Sequence, residues 1–86
     1  MKPKGILNVL AESLTTNRAH PTIVLNALIM LENDGGLGAV KDLRHGLSRM
    51  VWAAQKTFQP SYRILQAWLT ATETYLETYA PKAVTR

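Results

Sequence analysis

Apolar residues recur at three- and four-residue steps along almost the whole chain, and this helical period limits the possible folds more than any other feature. At about 100° per residue, such steps place the apolar side chains on one face of a helix. No segment alternates apolar and polar residues between hairpin turns, which is the pattern that predicts β-strands. The sequence therefore predicts an all-α protein.

Three short breaks divide the helical pattern into four segments. A polar run at 15–18 ends the first segment, a glycine-rich turn at 33–36 ends the second, and Gln59-Pro60-Ser61 ends the third. Glycine readily adopts the left-handed conformation that terminates helices, and proline disfavours helical geometry in the residue before it. The prediction is a single helical domain over residues 1–86, with four helices at about 4–14, 21–33, 38–58 and 61–79.

The predicted helices differ in how their apolar residues are distributed. Helix 21–33 is apolar nearly all round, which predicts a central helix contacted by several neighbours. In helix 61–79, Trp68 and Tyr75 belong to a continuous apolar stripe and are predicted core residues. Helix 38–58 has one apolar face and one basic face. Its predicted apolar stripe consists of Val40, Leu43, Leu47, Met50, Val51, Ala54 and Phe58.

The basic face of helix 38–58 is the candidate binding surface, because it combines cations with an aromatic side chain. Trp52 is either an anchor at a protein interface, where Trp and Arg are enriched, or a side chain buried under another helix. For the face as a whole, the alternative to a binding surface is a solvated helix surface without a partner. The predicted contact residues are Lys41, Arg44, His45, Arg49, Trp52 and Lys56.

A DNA-binding regulator is the alternative function for the same helix. The second predicted helix, the glycine turn and the third predicted helix have the order of a helix-turn-helix, whose second helix enters the major groove. Arg44 and Arg49 would then contact base edges, because a guanidinium group pairs with guanine. Lys41 and Lys56 would contact phosphates. The bulk of Trp52 counts against a position that faces a groove.

The sequence offers no constellation of residues for catalysis or for a metal. Cysteine is absent, and the two histidines, His20 and His45, lack partners at ligand spacing, whereas zinc needs three or four ligands. Glu73 and Glu77 lie one helical turn apart, but on the outer face of the last predicted helix, where solvation is the simpler interpretation. We therefore expect no enzymatic activity, no cofactor and no metal.

Composition and charge indicate the expected environment and the class of partner. The net charge is +4, and only 19% of the residues are charged. So little charge on a small protein favours a dimer or a larger complex, whose interface would cover the surface that is not polar. No apolar run reaches about 18 residues, and no signal-peptide cleavage site is evident. We expect a cytoplasmic protein that does not associate with a membrane.

An apolar helix that ends in a Gly-Gly-Leu turn occupies residues 25–38, and the Gly46-Leu47 pair and Trp52 follow it. In these features residues 25–52 resemble the YidB-like family of small bacterial proteins. The resemblance implies a helical fold with a homeodomain-like arrangement and no established activity. It carries over no catalytic residue, and it slightly favours DNA binding.

The leading functional prediction is a small non-enzymatic helical protein that acts through protein–protein contacts. It would work as an oligomer, or as a subunit or modulator of a larger complex, and a phage-type inhibitor of a host complex is one example of that class. The low charge and the position of Trp52 among cations support this prediction. Nucleic acid is the alternative partner.

Overall fold

The computed structural model describes residues 5–79, with the exception of the Tyr79 side chain, and these residues form three α-helices. Helix α1 spans Ile6–Thr16, α2 spans Pro21–Lys56 and α3 spans Tyr62–Tyr79. The described residues include no strand. The all-α prediction is confirmed, whereas the prediction of four helices is wrong. The predicted start of the first helix at residue 4 lies outside the described residues.

The ends of α1 and the start of α2 follow from local backbone chemistry. Asn17 ends α1 in the left-handed conformation, with φ 60°, and asparagine is one of the few residues other than glycine that tolerates this geometry. Pro21 stands in the first turn of α2, where its missing N–H leaves no helical hydrogen bond unmade. The predicted break at 15–18 is therefore present, although α1 continues to Thr16.

The second and third predicted helices are parts of one element, because only Gly36 leaves helical geometry between them. Its φ of 78° and ψ of −179° interrupt α2, while Asn33, Asp34 and Gly35 continue the helix. A straight helix of 36 residues would be about 54 Å long, which exceeds the longest principal dimension of 41 Å. Helix α2 therefore bends at Gly36 and consists of a first segment, 21–35, and a second segment, 37–56.

Helix α3 packs along both segments of α2, and the core lies between them. Tyr62 lies near Ala54 at one end of the second segment, and Glu73 lies near Arg44 toward the other, so α3 runs antiparallel to that segment. Trp68 and Tyr75 are buried, which confirms their prediction as core residues. The buried apolar side chains are Leu10, Val24, Ala27, Leu28, Val40, Leu47, Val51, Ala54, Ile64, Leu65, Trp68, Leu69 and Tyr75.

Two residues of the stripe predicted for helix 38–58 are not core residues. Phe58 is 92% exposed, because α2 ends at Lys56 and Phe58 turns away with a φ of 57°. Met50 is 40% exposed, since it lies at the edge of the face that α3 covers. The helical period alone placed both residues in the predicted stripe.

The first segment of α2 is not surrounded by neighbours, so the prediction of a central helix is wrong. Val24, Ala27 and Leu28 are buried, but the opposite side of the segment is exposed. Helices α1 and α3 approach this segment from one side only, and the described part of the chain has no further helix to cover the other. An exposed face that is largely apolar is the result.

Helix α2 is long and apolar enough to cross a membrane by length and composition alone. Core helices of soluble proteins and signal sequences meet the same criterion, but a core helix is mostly buried. In the described structure 22% of the most apolar window of α2 is buried, and length and composition alone do not assign the helix to a membrane. The cytoplasmic location stays a prediction.

Candidate protein-binding surface

The exposed side of the second segment of α2 carries four of the six predicted contact residues in one continuous row. His45, Arg49, Trp52 and Lys56 follow one another at steps of four, three and four residues, which places them along one side of a helix. All four are exposed, on the side opposite the buried Val40, Leu47 and Val51. We call these four residues the outer strip.

Trp52 is the most distinctive member of the outer strip. Its side chain is 63% exposed, so the described part of the chain does not bury it under another helix, and that interpretation is wrong. The ammonium group of Lys56 lies 4.8 Å from the centroid of the Trp52 ring, within the range of a cation–π interaction. The interaction orients the indole while leaving most of it uncovered. Interface anchoring therefore stays a prediction for this residue.

Lys41, one turn before His45, and Arg44 lie nearer to α3 and border a groove between the two helices. A guanidinium nitrogen of Arg44 lies 3.9 Å from a carboxylate oxygen of Glu73, and both side chains are nearly half exposed. Lys41, Arg44, Glu73 and Glu77 line one shallow groove between α2 and α3, in which cations and carboxylates face each other. An exposed pair of this kind stabilises the fold by at most about 1 kcal/mol. Its main consequence is that acidic neighbours partly balance these two predicted contact residues.

Phe58 extends the exposed aromatic surface beyond the end of α2, and sequence reasoning missed it. With Pro60 and Tyr62 it borders a groove of about 370 Å³ between the ends of α2 and α3. The Gln59-Pro60 pair was the sequence signal for this exposure. A helix that ends before a proline does not continue its apolar period up to that proline. The prediction instead followed the four-residue spacing from Ala54 and placed Phe58 in the apolar stripe.

The connection between the two segments of α2 differs from that of a helix-turn-helix. A helix-turn-helix joins its two helices by a turn of three or four residues, whereas here only Gly36 departs from helical geometry. The outer strip has Arg49 and Lys56 as its permanent cations, and Asp42 is exposed one turn before His45. This is a small cationic surface for a DNA-binding helix, whose affinity depends on the number of phosphates contacted.

Groups suited to metal binding are not assembled in residues 5–79. In that part of the chain no group of three or more His, Asp or Glu side chains is placed to hold a metal ion. Glu73 and Glu77, the pair of carboxylates one turn apart, face the cations of the groove between α2 and α3.

Comparison of the chain with protein-family models, curated proteins and solved structures found no significant match. The resemblance to the YidB-like family stays a prediction. The function therefore has to be inferred from the surface of the chain itself.

Proposed function

We propose that this chain is a non-enzymatic binding protein that acts through protein–protein contacts, as an oligomer or as a subunit or modulator of a larger assembly, and that the outer strip is its surface for a different protein. The observation that supports the proposal most directly is the 63% exposure of Trp52, with Lys56 held over its ring. An exposed tryptophan carries a large apolar area, and covering that area on a partner is favourable.

The neighbours of Trp52 indicate the chemistry of the partner. Arg49 precedes Trp52 by three residues and Lys56 follows it by four, so a cation lies on either side of the ring along the helix. A complementary surface would receive the indole in an apolar pocket and place carboxylates around the pocket rim. Tryptophan and arginine dominate the binding energy of many interfaces in this kind of arrangement.

Site-specific cross-linking tests this proposal and captures the partner whatever its identity. A photoreactive benzophenone amino acid is placed at position 52 and, as a control, at position 70, because Thr70 is exposed on α3 away from the outer strip. Irradiation in the cells that produce the protein should give a discrete protein adduct from position 52 and none from position 70. Replacing both Arg49 and Lys56 with alanine should reduce its yield at least several-fold. Equal adducts from both positions, or none from position 52, would overturn the proposal.

A DNA-binding regulator is the second candidate, and the exposure of Arg49 and Lys56 on one strip is the observation that favours it. It predicts that a labelled duplex of about 20 base pairs binds with an affinity that falls steeply with salt, because neutralised phosphates release counterions. The affinity should also fall when Arg49 and Lys56 are replaced with alanine. An absence of binding at moderate salt excludes this candidate and agrees with the proposed function.

A further inference from the structure

The exposed side of the first segment of α2 has a composition unusual for a solvent-facing helix. No Asp, Glu, Lys or Arg occurs between Arg18 and Glu32, so residues 21–31 of α2 carry no permanent charge, and Glu32 and Asp34 follow at the end of the first segment. The side chains exposed there are mostly apolar, with a few amide and hydroxyl groups among them. We call this surface the uncharged face, and its members are Thr22, Ile23, Leu25, Asn26, Ile29 and Met30.

The apolar area of the uncharged face is comparable with that of a dimer interface. Ile23, Leu25, Ile29 and Met30 are each between 38% and 56% exposed. Together they leave roughly 350 Å² of apolar surface uncovered, as large as the biggest apolar patch of a typical monomer. A stable dimer buries roughly 800 Å² on each partner, a little over half of it apolar. This one helix face therefore supplies most of the apolar area that a dimer needs.

We infer that a second copy of this chain covers the uncharged face, so that the protein is a two-fold symmetric dimer through the first segment of α2. The inference goes beyond the proposed function, because it concerns a different surface and a different partner. In an isologous interface the same patch meets itself, so the patch must not repel its own copy. The uncharged face satisfies this condition, whereas the outer strip presents like charges to a copy.

The position of Asn26 fits a two-fold axis through the middle of the face. An amide side chain both donates and accepts hydrogen bonds, so Asn26 can pair with Asn26 of the second copy. With the two helices antiparallel, Ile23, three residues before the centre, meets Met30 of the second copy, four residues after it. A single polar asparagine within an apolar helix interface is also known to define register and oligomeric state.

Cysteine cross-linking tests the position of the axis, because the natural chain contains no cysteine. A single Asn26→Cys substitution should give a disulfide-linked dimer under mild oxidation, since the two positions face each other. The control is Ser48→Cys, which places an exposed thiol on the second segment. It should stay monomeric on a non-reducing gel at the same protein concentration. Equal cross-linking of the two variants would overturn the inference.

Light scattering after size-exclusion chromatography provides the second measurement. The natural chain at tens of micromolar should have twice the mass of one chain, and Met30→Glu should have the mass of a single chain with unchanged helical circular dichroism. The matched control is Met50→Glu, the same substitution at an exposed methionine outside the uncharged face, and it should stay dimeric. A natural chain that is monomeric would overturn the inference, as would a monomer that binds neutral lipid vesicles through Met30.

The experiments on the two surfaces test the proposed function and the dimer separately. Cross-linking from position 52 reports on the outer strip and does not require the dimer. Cross-linking at position 26 reports on the uncharged face and does not require an acidic partner. A dimer without an adduct at position 52 leaves only the inference standing, and the opposite result leaves only the proposed function standing.

Discussion

The hydroxyl of Tyr75 on α3 donates a hydrogen bond to the carboxylate of Glu32 on α2, four residues before the bend at Gly36. Tyr75 is buried and Glu32 is half-buried, so the bond is largely shielded from water. It joins α3 to the first segment of α2, while the Arg44–Glu73 pair joins α3 to the second segment. Helix α3 thereby holds the two segments on either side of the bend.

Removing the Tyr75 hydroxyl should destabilise the protein measurably. Tyr75→Phe keeps the ring but leaves the Glu32 carboxylate without this donor, which should lower the free energy of unfolding by about 1–2 kcal/mol. Urea denaturation followed by circular dichroism measures this change. Tyr62→Phe is the matched control at the other end of α3 and should change stability by less than about 0.5 kcal/mol. Equal effects of the two substitutions would contradict a specific role for the Tyr75 bond.

Truncation of the two tryptophans to alanine should reduce stability by very different amounts. Trp68 is fully buried, so Trp68→Ala should cost about 3–5 kcal/mol and leave much of the protein unfolded. Trp52→Ala removes an exposed ring and one cation–π contact, so it should cost at most about 1 kcal/mol. Denaturation monitored by circular dichroism compares them. A large loss of stability in Trp52→Ala would show that this residue is structural and would weaken the proposed function.

Phenylalanine should replace Trp68 much better than alanine does. The Nε1–H group of Trp68 is buried and has no hydrogen-bond partner in the described part of the structure. Trp68→Phe removes this unpaired donor and keeps an aromatic ring in the core, so the loss of volume is partly offset. We expect a cost of about 1–2 kcal/mol, measured by the same denaturation. A cost equal to that of Trp68→Ala would mean that the donor has a partner after all.

Alanine substitutions at two nearby glycines should change the stability of the protein in opposite directions. Gly36 has positive φ with extended ψ, a conformation essentially confined to glycine, so Gly36→Ala should cost about 1–3 kcal/mol. Gly38 is helical and exposed, with open space around the added methyl, so Gly38→Ala should stabilise by about 0.5–1 kcal/mol. Thermal unfolding of the two variants gives the comparison. Stabilisation by Gly36→Ala would show that α2 can run through the bend.

Replacing Phe58 with asparagine should stabilise the protein. Its φ of 57° is unfavourable for a residue with a bulky side chain, and 92% of the side chain is exposed, so little packing compensates. Phe58→Asn should raise the free energy of unfolding by about 0.5–1 kcal/mol, because asparagine tolerates this conformation. Phe58→Ala keeps the strain and should give no gain. Identical melting temperatures for the two variants would show that the side chain, and not the backbone, sets stability here.

Much of the candidate site followed from helical spacing, but its division into two parts did not. The spacing placed the six predicted residues on one polar face and correctly left them outside the apolar stripe. The ion pair of Arg44 with Glu73, and the groove that Lys41 borders, depend on where α3 docks, which residues far apart in sequence decide. The exposure of Trp52 depends equally on which sides of α2 the other helices leave open.

By itself the sequence determined the all-helical character, the burial of Trp68 and Tyr75, and the starting point of α2 at Pro21, because periodicity and local backbone chemistry act within a few residues. Only the tertiary structure decided that α2 continues to Gly36 and bends there. Gly35 and Gly36 are both glycines, so local backbone chemistry allows a bend at either, and in the folded chain Gly36 is the one that leaves helical geometry. The tertiary structure also left Ile23, Leu25, Ile29 and Met30 exposed, because α1 and α3 dock on the opposite side of this segment, where Val24, Ala27 and Leu28 are buried.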